Sequence, residues 1–265
     1  MSHISYSELK EWTDCAWKHK LNYIDKIKQF KGNEHTSFGS ALHTVCEELV
    51  QEENEKEDFQ LLFEQEFIKN LQKVKKSTPD IEFSNDLIAS MRTQGKHIIQ
   101  FILPALKKYF GKFELHSVEE QLYEPIENEK IDKKFKGFID LILYTPDTKK
   151  YHIIDWKTCS WGWDSRKKSD KMVTYQLTLY KHFWAKKHKI DYKDIITHFA
   201  LLKRTANKNN VEIFKVTNGE KKIGNALKLL NKAVYNIDKC NHVKNRLSCY
   251  GKYGVCEYYK TKHCS

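Results

Sequence analysis

Two apolar runs and the turn between them carry most of the information about the fold: FKGFIDLILY at residues 135–144, TPDT at 145–148 and KYHIIDWKT at 150–158. Both runs are rich in β-branched and aromatic residues, which favour strands. The four-residue polar segment between them contains Pro and Asp, which are typical of turns. The sequence therefore predicts an antiparallel hairpin whose strands pair about this turn.

Charged side chains interrupt both strands of the predicted hairpin. Asp155 and Lys157 stand at i and i+2, so their side chains leave the same face, while Trp156 faces the other way. Asp140 interrupts the first strand, and pairing about the turn brings it near Asp155. Two neighbouring carboxylates repel each other unless a cation lies between them, and their hard oxygen atoms suit Mg²⁺ or Mn²⁺.

These three residues suit phosphodiester hydrolysis. The reaction needs a divalent ion to neutralise developing charge and lower the pKa of a water molecule, and a further cation to orient that water or stabilise the transition state. Lys157 fits the second role. A salt-bridged Asp-Lys pair at the end of a strand would give the same residue pattern without catalysis, so spacing alone leaves both interpretations open.

The segments around the hairpin alternate between helical and strand patterns. Helical spacing predicts helices from about Ser5, over 37–53, 57–75 and 85–110, the last kinked at Pro104, and again over 170–188 and 219–238. Strand patterns cover 115–126, 195–202 and 211–216 in addition to the hairpin. This order predicts an α/β or α+β fold with a central mixed β-sheet flanked by helices.

Length and composition favour one elaborated domain with a polyanionic partner. We expect a single domain over 1–265, with a mainly helical part at 1–110, a catalytic core sheet at 113–217 and a Cys-rich tail at 239–265. Lys and Arg number 46 against 35 Asp and Glu, a net charge of +11, which suits nucleic acid or an acidic membrane surface. No apolar run is long enough to cross a membrane and no signal pattern opens the chain, so an intracellular protein is expected.

Several motifs resemble one nuclease family. GFID at 137–140 and IIDWKT at 153–158 resemble the core motif of the PD-(D/E)XK nuclease superfamily, with Ile139 in place of the Pro of the name-giving motif. FGSALH at 38–43, YQLTLY at 175–180 and S-x-S-x-L at 5–9 resemble further motifs of its RecB-type branch, which includes CRISPR-adaptation nucleases. The motifs follow the family's order over nearly the whole chain. The resemblance implies a restriction-endonuclease-like core with a helical N-terminal elaboration.

The resemblance also implies roles for individual residues of the predicted site. His43, Asp140 and Asp155 would bind Mg²⁺ or Mn²⁺, the Trp156 carbonyl would be a possible further ligand, and Lys157 would act on the attacking water. A histidine beside an apolar helical stripe is otherwise an ordinary partly buried side chain. The metal-ligand role of His43 therefore depends mainly on the resemblance.

Three further polar residues are candidates for the site. Family members often have a glutamate on the strand before the hairpin, and of Glu119 and Glu120, which face opposite ways, we expect Glu120 to contribute. Gln176 and Tyr180 stand at i and i+4 of a helix and could contact the scissile phosphate or support Lys157. Ordinary helix packing is the alternative for both.

The cysteines form a second pattern. Some RecB-type nucleases hold a [4Fe-4S] cluster with one N-terminal and three C-terminal cysteines, and the chain has a similar distribution at Cys15, Cys249, Cys256 and Cys264. The C-x6-C-x7-C spacing is looser than the family's C-x2-C-x5-C. A zinc site that recruits Cys240, His242 or His263, or a tail of reduced thiols, would fit the same residues.

A loop after the second hairpin strand combines aromatic and basic side chains. Such a loop beside a metal site suits phosphate tracking with base stacking, although a solvated loop with tucked tryptophans is an equally good interpretation. A second basic segment is the turn between the predicted strands 195–202 and 211–216. The candidate DNA-binding residues in the loop and in this turn are Trp161, Trp163, Arg166, Lys167, Lys168, Lys203 and Arg204.

The combined features predict a Mg²⁺- or Mn²⁺-dependent DNA nuclease. We expect an exonuclease that acts on DNA ends or single strands in recombination, repair or phage DNA processing, in the cytoplasm of the cell or of a phage host. A recombination or single-strand-annealing protein would be a fitting partner. The alternatives are a structure-specific endonuclease, an RNA-directed nuclease, and a non-catalytic DNA-binding module that retains the fold.

Overall fold

A computed structural model describes residues 2–27, 31–51, 58–127, 132–251 and 254–265. The predicted ends of two helices, at 52–53 and at 57, lie outside these residues. The chain divides into two compact units. Unit 1 comprises Met1–Phe30, Leu122–Gly137 and Gly219–Ser265, and unit 2 comprises Lys31–Gln121 and Phe138–Asn218.

The helices and strands agree closely with the predicted order. The helices are α1 Tyr6–Asp14, α2 Ala16–His19, α3 Glu34–Gln51, α4 Phe59–Ser77, α5 Asn85–Ile99, α6 Ile102–Phe110, α7 Ser165–Ser169, α8 Lys171–His188 and α9 Glu220–Asp238. The strands are β1 Ser2–Ser5, β2 Glu114–Pro125, β3 Lys133–Thr145, β4 Lys150–Cys159, β5 Ile195–Lys203, β6 Val211–Val216, β7 Tyr250–Gly251 and β8 Gly254–Val255. A π-helical turn, Lys20–Ile24, follows α2.

The sheet of unit 2 is mixed, as predicted. β3 and β4 form the antiparallel hairpin, β4 and β5 are parallel, and β5 and β6 are antiparallel. Parallel neighbours need a long connection, and α8 lies in the connection between β4 and β5. The predicted α/β class, a central mixed sheet flanked by helices, is confirmed.

Helix α8 crosses the core and is buried on most of its sides. The Asp170 side chain caps its N-terminus by accepting hydrogen bonds from the amides of Met172 and Val173 at 2.7 and 3.1 Å. Lys189 ends it in the left-handed conformation, with φ 57°. A helix enclosed in this way is held in a fixed position, so its polar side chains can be aimed accurately.

Helices α3 to α6 build the helical part of unit 2 around a cluster of phenylalanines. The rings of Phe38, Phe63 and Phe67 lie 5.6–5.9 Å apart, and all three are buried. The predicted helix over 85–110 is broken at Gln100 and Phe101, before Pro104 rather than at it. Pro104 thereby falls in the first turn of α6, where its missing N–H costs no hydrogen bond.

Gly95 of α5 lets the helix approach the Phe63 ring. A Cβ at this position would lie 2.2 Å from the nearest ring carbon, and the ring is fixed between Phe38 and Phe67. We expect Gly95→Ala to destabilise the protein by about 1–3 kcal/mol through overpacking, although alanine is the better helix former. Urea unfolding would measure the loss. Gly224→Ala in α9, where a Cβ meets nothing within 4 Å, is the control, and an equal effect in both variants would contradict the explanation.

Unit 1 collects segments from distant parts of the sequence. β1, which the sequence analysis did not predict, pairs parallel with the first residues of β3, from Ser2 opposite Lys133 to Ser5 opposite Lys136. Ser5 also caps α1 through a hydrogen bond from the Glu8 amide, as its spacing predicts. Among the described residues, no helix is long and apolar enough to cross a membrane.

Candidate active site

Asp140 and Asp155 lie next to each other at the point where the pairing of β3 and β4 stops. The paired residues extend from Thr145 opposite Lys150 to Leu141 opposite Ile154, and the two aspartates come next in the same register. Asp140 Oδ2 accepts a hydrogen bond from the Trp156 amide at 2.7 Å. Its side chain thus takes a position that a backbone carbonyl would occupy in a continued ladder. The structure brings the two carboxylates together as the hairpin predicted.

Burial controls the protonation of this carboxylate pair. Desolvation raises the pKa of both Asp140 and Asp155 to about 6, and Asp155 is only 1% exposed. The Lys157 ammonium lies 2.6 Å from Asp155 Oδ2 and opposes these rises. Burial works against the charged lysine, but the carboxylates of Asp155 and Asp140 outweigh it and raise the pKa of Lys157. Lys157 is therefore positively charged beside the two aspartates.

Helix α3 carries His43 to the same place. Its buried stripe, which includes Phe38, Leu42 and Val45, packs against the core and leaves His43 on a neighbouring face. His43 Nδ1 lies 3.7 Å from Asp140 Oδ2, and the ring also hydrogen-bonds the Trp156 backbone. Desolvation, together with Lys157, lowers the pKa of His43, which favours the neutral form that can bind a metal.

A glycine sets how closely α3 approaches β4. A Cβ at Gly39 would lie 3.1 Å from Thr158 Oγ1, which is tighter than ordinary contact. Gly39 stands one turn before His43 in α3, and Thr158 follows Lys157 in β4. The absence of a side chain at Gly39 therefore helps to hold His43 within reach of the aspartates.

Gln176 of α8 completes the contacts of Asp155. Its Nε2 donates to Asp155 Oδ1 at 2.8 Å and lies 3.3 Å from the Tyr180 hydroxyl. Burial raises the pKa of Tyr180, with a further rise from the Asp155 charge, so the phenol stays protonated. The structure places the predicted pair Gln176 and Tyr180 at the site, where Gln176 orients the Asp155 carboxylate.

The side chains of Glu119 and Glu120 in β2 point in opposite directions, and that of Glu119 lies at the site. Glu119 has φ 46°, a left-handed conformation that breaks the alternation of the strand. It hydrogen-bonds Glu47, which lies one turn after His43 in α3. Burial, with the nearby Glu119 and Asp140, raises the pKa of Glu47 to about 8, which favours its protonated form at neutral pH.

The predicted Glu120 is not brought to the site. Its carboxylate accepts hydrogen bonds from Trp184 Nε1 at 3.0 Å, Lys187 Nζ at 2.7 Å and Ser117 Oγ at 2.8 Å. Burial opposes ionisation, yet these donors together with His188 lower the pKa of Glu120 to about 2. Glu120 therefore ties β2 to α8. The i,i+4 spacing of His43 and Glu47 was a sequence signal for Glu47, whereas the backbone conformation that selects Glu119 left none.

The side chains of His43, Asp140 and Asp155 lie near one another but do not converge on a single metal position. Among the residues with described positions, no three His, Cys, Asp or Glu side chains form a group that could already hold a metal ion. The Lys157 ammonium lies 2.6 Å from Asp155 Oδ2, so it would compete with an ion for this oxygen atom.

The loop after β4 divides into packed and exposed parts. Trp163 packs against Phe199 and Phe214, and the Lys167 ammonium lies 4.4 Å from the Trp163 ring centroid. Trp161 is 72% exposed. The remaining basic candidates are placed as follows: Lys168 and Lys203 pair with Glu212, Arg204 donates to Ser160 and Gln94, and Arg166 is exposed.

In unit 1 the four predicted cluster ligands line one cavity. Its walls include Cys15, Cys249, Cys256 and Cys264, together with Trp17, Leu21 and Tyr258. Hydrogen bonds join the N-terminal segment to the tail around it: Trp17 Nε1 donates to the His263 carbonyl at 2.9 Å, and the Tyr258 hydroxyl donates to the Ile27 carbonyl at 2.9 Å. All seven cysteines are free thiols, and Cys46, Cys159 and Cys240 do not line this cavity.

Comparison with known proteins agrees with the motifs and the fold. A solved structure of a protein from Eubacterium rectale, described as a candidate exonuclease, superimposes with a TM-score of 0.54 at 14% identity, covering 98% of this chain and 86% of that one. No curated protein matches the chain. The sequence profile of the PD-(D/E)XK nuclease superfamily matches residues 3–260. Since this match spans nearly all of its length, the chain belongs to the PD-(D/E)XK nuclease superfamily.

Proposed function

We propose that the protein is a Mg²⁺- or Mn²⁺-dependent deoxyribonuclease with its active site between α3 and the ends of β3 and β4. The observation that carries this proposal is the pair Asp140 and Asp155, held side by side with Lys157 and His43 around them. Simple DNA binding gains nothing from carboxylates that would face a phosphate. The non-catalytic alternative therefore explains the site less well.

Each residue of the site has a distinct task in this proposal. Asp140, Asp155 and His43, with the Trp156 carbonyl, would hold the divalent ion, which supplies charge neutralisation and a bound water of lowered pKa when present. Lys157, displaced from Asp155, would orient that water or stabilise the charge that develops on the phosphate. Gln176 keeps the Asp155 carboxylate in place through its 2.8 Å hydrogen bond. Glu47 and Glu119 lie near Asp140 and would add negative charge beside the ion when ionised.

We propose further that the substrate is DNA and that cleavage starts from its ends. The net charge of +11 supports a nucleic-acid substrate. The Eubacterium rectale protein is described as a candidate exonuclease, and we propose the same activity here, in intracellular recombination, repair or phage DNA processing with a DNA-annealing partner.

Incubation of labelled linear and covalently closed circular DNA with Mg²⁺ or Mn²⁺ tests the proposal. An exonuclease shortens the linear molecule from its ends and leaves the circle intact. Cleavage of the circle would favour the structure-specific endonuclease instead. Absence of cleavage of both DNA forms, with cleavage of an RNA of the same sequence, would favour the RNA-directed alternative. If none of the three is cut, the enzymatic proposal is wrong.

The raised pKa values predict that cation binding stabilises the protein only above about pH 6. Because the pKa of both Asp140 and Asp155 is raised to about 6, the protonated carboxyls favour folding at low pH, and this contribution is lost as the pH rises through 6. A divalent ion needs the ionised forms. We expect saturating Mn²⁺ to raise the melting temperature by roughly 5–10 °C at pH 8 and by almost nothing at pH 5.

Thermal unfolding at the two pH values measures this effect. Asp147→Asn, which removes an exposed carboxylate at the turn of the same hairpin, should keep the full shift at pH 8. A shift of equal size at pH 5 and pH 8 would mean that the ion binds elsewhere.

We propose that Cys15, Cys249, Cys256 and Cys264 hold a [4Fe-4S] cluster. Four thiols that line one cavity form a donor set suited to iron-sulfur ligation, and the thiolates would close in on the cluster as it forms. Such a cluster would clamp the N-terminal segment to the tail. It has no part in the phosphodiester chemistry. A zinc ion on the same thiols is the competing occupant.

Metal analysis of anaerobically purified protein decides between the occupants. A cluster predicts a brown sample with close to four iron atoms and four labile sulfides per chain, lost in Cys256→Ser and kept in Cys240→Ser. About one zinc per chain without iron would replace the cluster by a zinc site. A metal-free sample from anaerobic purification would overturn both.

A further inference from the structure

Trp161 is the exception among the tryptophans. All six lie in described residues, and only Trp161 is exposed, with 72% of its surface in contact with solvent. Trp156 and Trp184 are fully buried. A large aromatic ring left in water forgoes the stabilisation that burial would give it, and such rings are enriched where proteins contact other molecules. The ring is therefore available for contact with a partner.

The backbone on both sides of Trp161 is held in place. Before it, the Ser160 carbonyl accepts hydrogen bonds from the Thr205 amide at 2.9 Å and from the Thr205 hydroxyl at 2.7 Å. After it, the Trp163 ring packs 5.1 Å from the Phe199 ring. An aromatic ring on a fixed loop pays little ordering cost when it binds, so its exposure is suited to contact with a ligand.

The loop begins beside the catalytic lysine. Trp161 follows Lys157 by four residues, which limits the distance between their Cα atoms to about 13 Å. The Phe199 ring connects the two places: the Lys157 ammonium lies 6.0 Å from its centroid on one side, and Trp163 packs against it as well. One layer of side chains thus separates the catalytic ammonium from the base of the loop.

The charges around Trp161 favour a phosphate backbone. The acids of the loop region are engaged: Glu212 pairs with Lys168 and Lys203, and Asp164 and Asp170 cap the N-termini of α7 and α8. Arg166 and Lys167 follow Trp163 after Asp164 and Ser165, and the Lys167 ammonium lies 4.4 Å from the Trp163 ring centroid. A flat apolar ring next to cations is the combination that binds single-stranded nucleic acid, with the ring under a base and the cations near the phosphates.

We propose that Trp161 stacks on an unpaired base of the strand being cut, so that the DNA next to the scissile phosphate is single-stranded. Inside a duplex the faces of a base are covered by its stacked neighbours, so away from the ends the indole could reach a face only at an unpaired nucleotide. Trp163, whose ring packs against Phe199 and Phe214, keeps the loop in position. This proposal rests on the proposed nuclease function and specifies its substrate.

Fluorescence anisotropy with the cleavage-impaired Lys157→Met protein in Mg²⁺ provides the test. Adding Trp161→Ala should weaken binding of a labelled 12-nucleotide oligo(dT) roughly tenfold, whereas Trp161→Phe should retain most of the affinity. Binding of a blunt two-stranded duplex, which has no loop, should weaken much less. Phe101→Ala, which removes an exposed aromatic ring elsewhere in unit 2, is the matched control and should change neither affinity.

Abasic substitutions locate the stacked base. A single abasic nucleotide moved along the oligonucleotide should weaken binding at one position with Trp161 present, and at none in Trp161→Ala. A loss of affinity that is equal for single strand and duplex, or absent for both, would overturn the proposal. So would an oligo(U) that binds more tightly with the same Trp161 dependence, because the strand would then be RNA.

The experiments distinguish failure of the proposed nuclease activity from failure of the stacking contact. If the unmodified protein cuts no DNA but Trp161→Ala still loses affinity for single strands alone, the nuclease activity is wrong and the stacking contact stands. If it cuts single-stranded and duplex ends alike and Trp161→Ala changes neither rate, the nuclease activity stands and the stacking contact is wrong.

Discussion

Asp155→Asn is expected to lower the rate of Mg²⁺-dependent DNA cleavage by roughly 10³-fold or more. Asparagine has the shape of aspartate, and its oxygen can still accept the hydrogen bond from Gln176 that Asp155 Oδ1 accepts at 2.8 Å. What is lost is the charge that a divalent ion needs, at a position that is only 1% exposed and that water cannot reach to compensate. The variant also leaves Lys157 without the carboxylate that lies 2.6 Å from its ammonium, so the loss of rate covers both the cation site and this ion pair.

Initial cleavage rates on single-stranded and linear duplex DNA, measured over a range of Mn²⁺ concentrations, check this prediction. Asp147→Asn removes a carboxylate from the exposed turn of the same hairpin and should cleave like the unmodified protein. The melting temperature of Asp155→Asn should also no longer respond to Mn²⁺ at pH 8. A variant that keeps its rate would place the catalytic ion away from β4.

Lys157→Met is expected to lower the cleavage rate by about 10²- to 10³-fold while cation binding is retained. The ammonium lies 2.6 Å from Asp155 Oδ2, so it competes with a metal ion for that oxygen. Methionine removes the competitor together with the catalytic charge. Metal affinity should therefore stay the same or increase, whereas the reaction loses the cation that orients the water or stabilises the phosphate.

This separation of binding from catalysis is the decisive result for Lys157. The Mn²⁺-dependent rise in melting temperature should persist in Lys157→Met and vanish in Asp155→Asn. Lys69→Met, at an exposed lysine of α4 in the same unit, should change neither the cleavage rate nor the shift. If Lys157→Met lost the shift, the lysine would be acting mainly as support for the carboxylates.

Much of the fold could be predicted because its signals are local. The hairpin pairs from Thr145 opposite Lys150, as the TPDT turn predicts, and α8 and α9 begin and end within one residue of the predicted ranges. Alternation along β4 is sufficient to place Asp155 and Lys157 on one face. β1 escaped prediction because a four-residue strand is too short for a periodic pattern, and its partner in β3 lies far away in sequence.

The parts of the site that sequence could not predict depend on backbone detail and tertiary contacts. The left-handed conformation of Glu119 decides which of two adjacent glutamates enters the site, and glutamate has no special preference for that conformation. The neighbours of Trp163 belong to β5 and β6, so its packing could not be distinguished from the exposure of Trp161. The cysteine distribution gave a reason to combine the two ends of the chain, but no sequence signal joins residues 122–137 to them in unit 1.

The discontinuous make-up of unit 1 affects how the chain is made. Cys15 leaves the ribosome long before Cys249, Cys256 and Cys264, which join it around one cavity. At bacterial or eukaryotic synthesis rates the interval is on the order of tens of seconds. Throughout that time the cavity lacks the walls that the C-terminal segment supplies, whereas the segments of unit 2 are all complete once Asn218 has been added. An occupant that needs all four thiols can therefore bind only after Cys264 has been added, when the segments of unit 2 already exist.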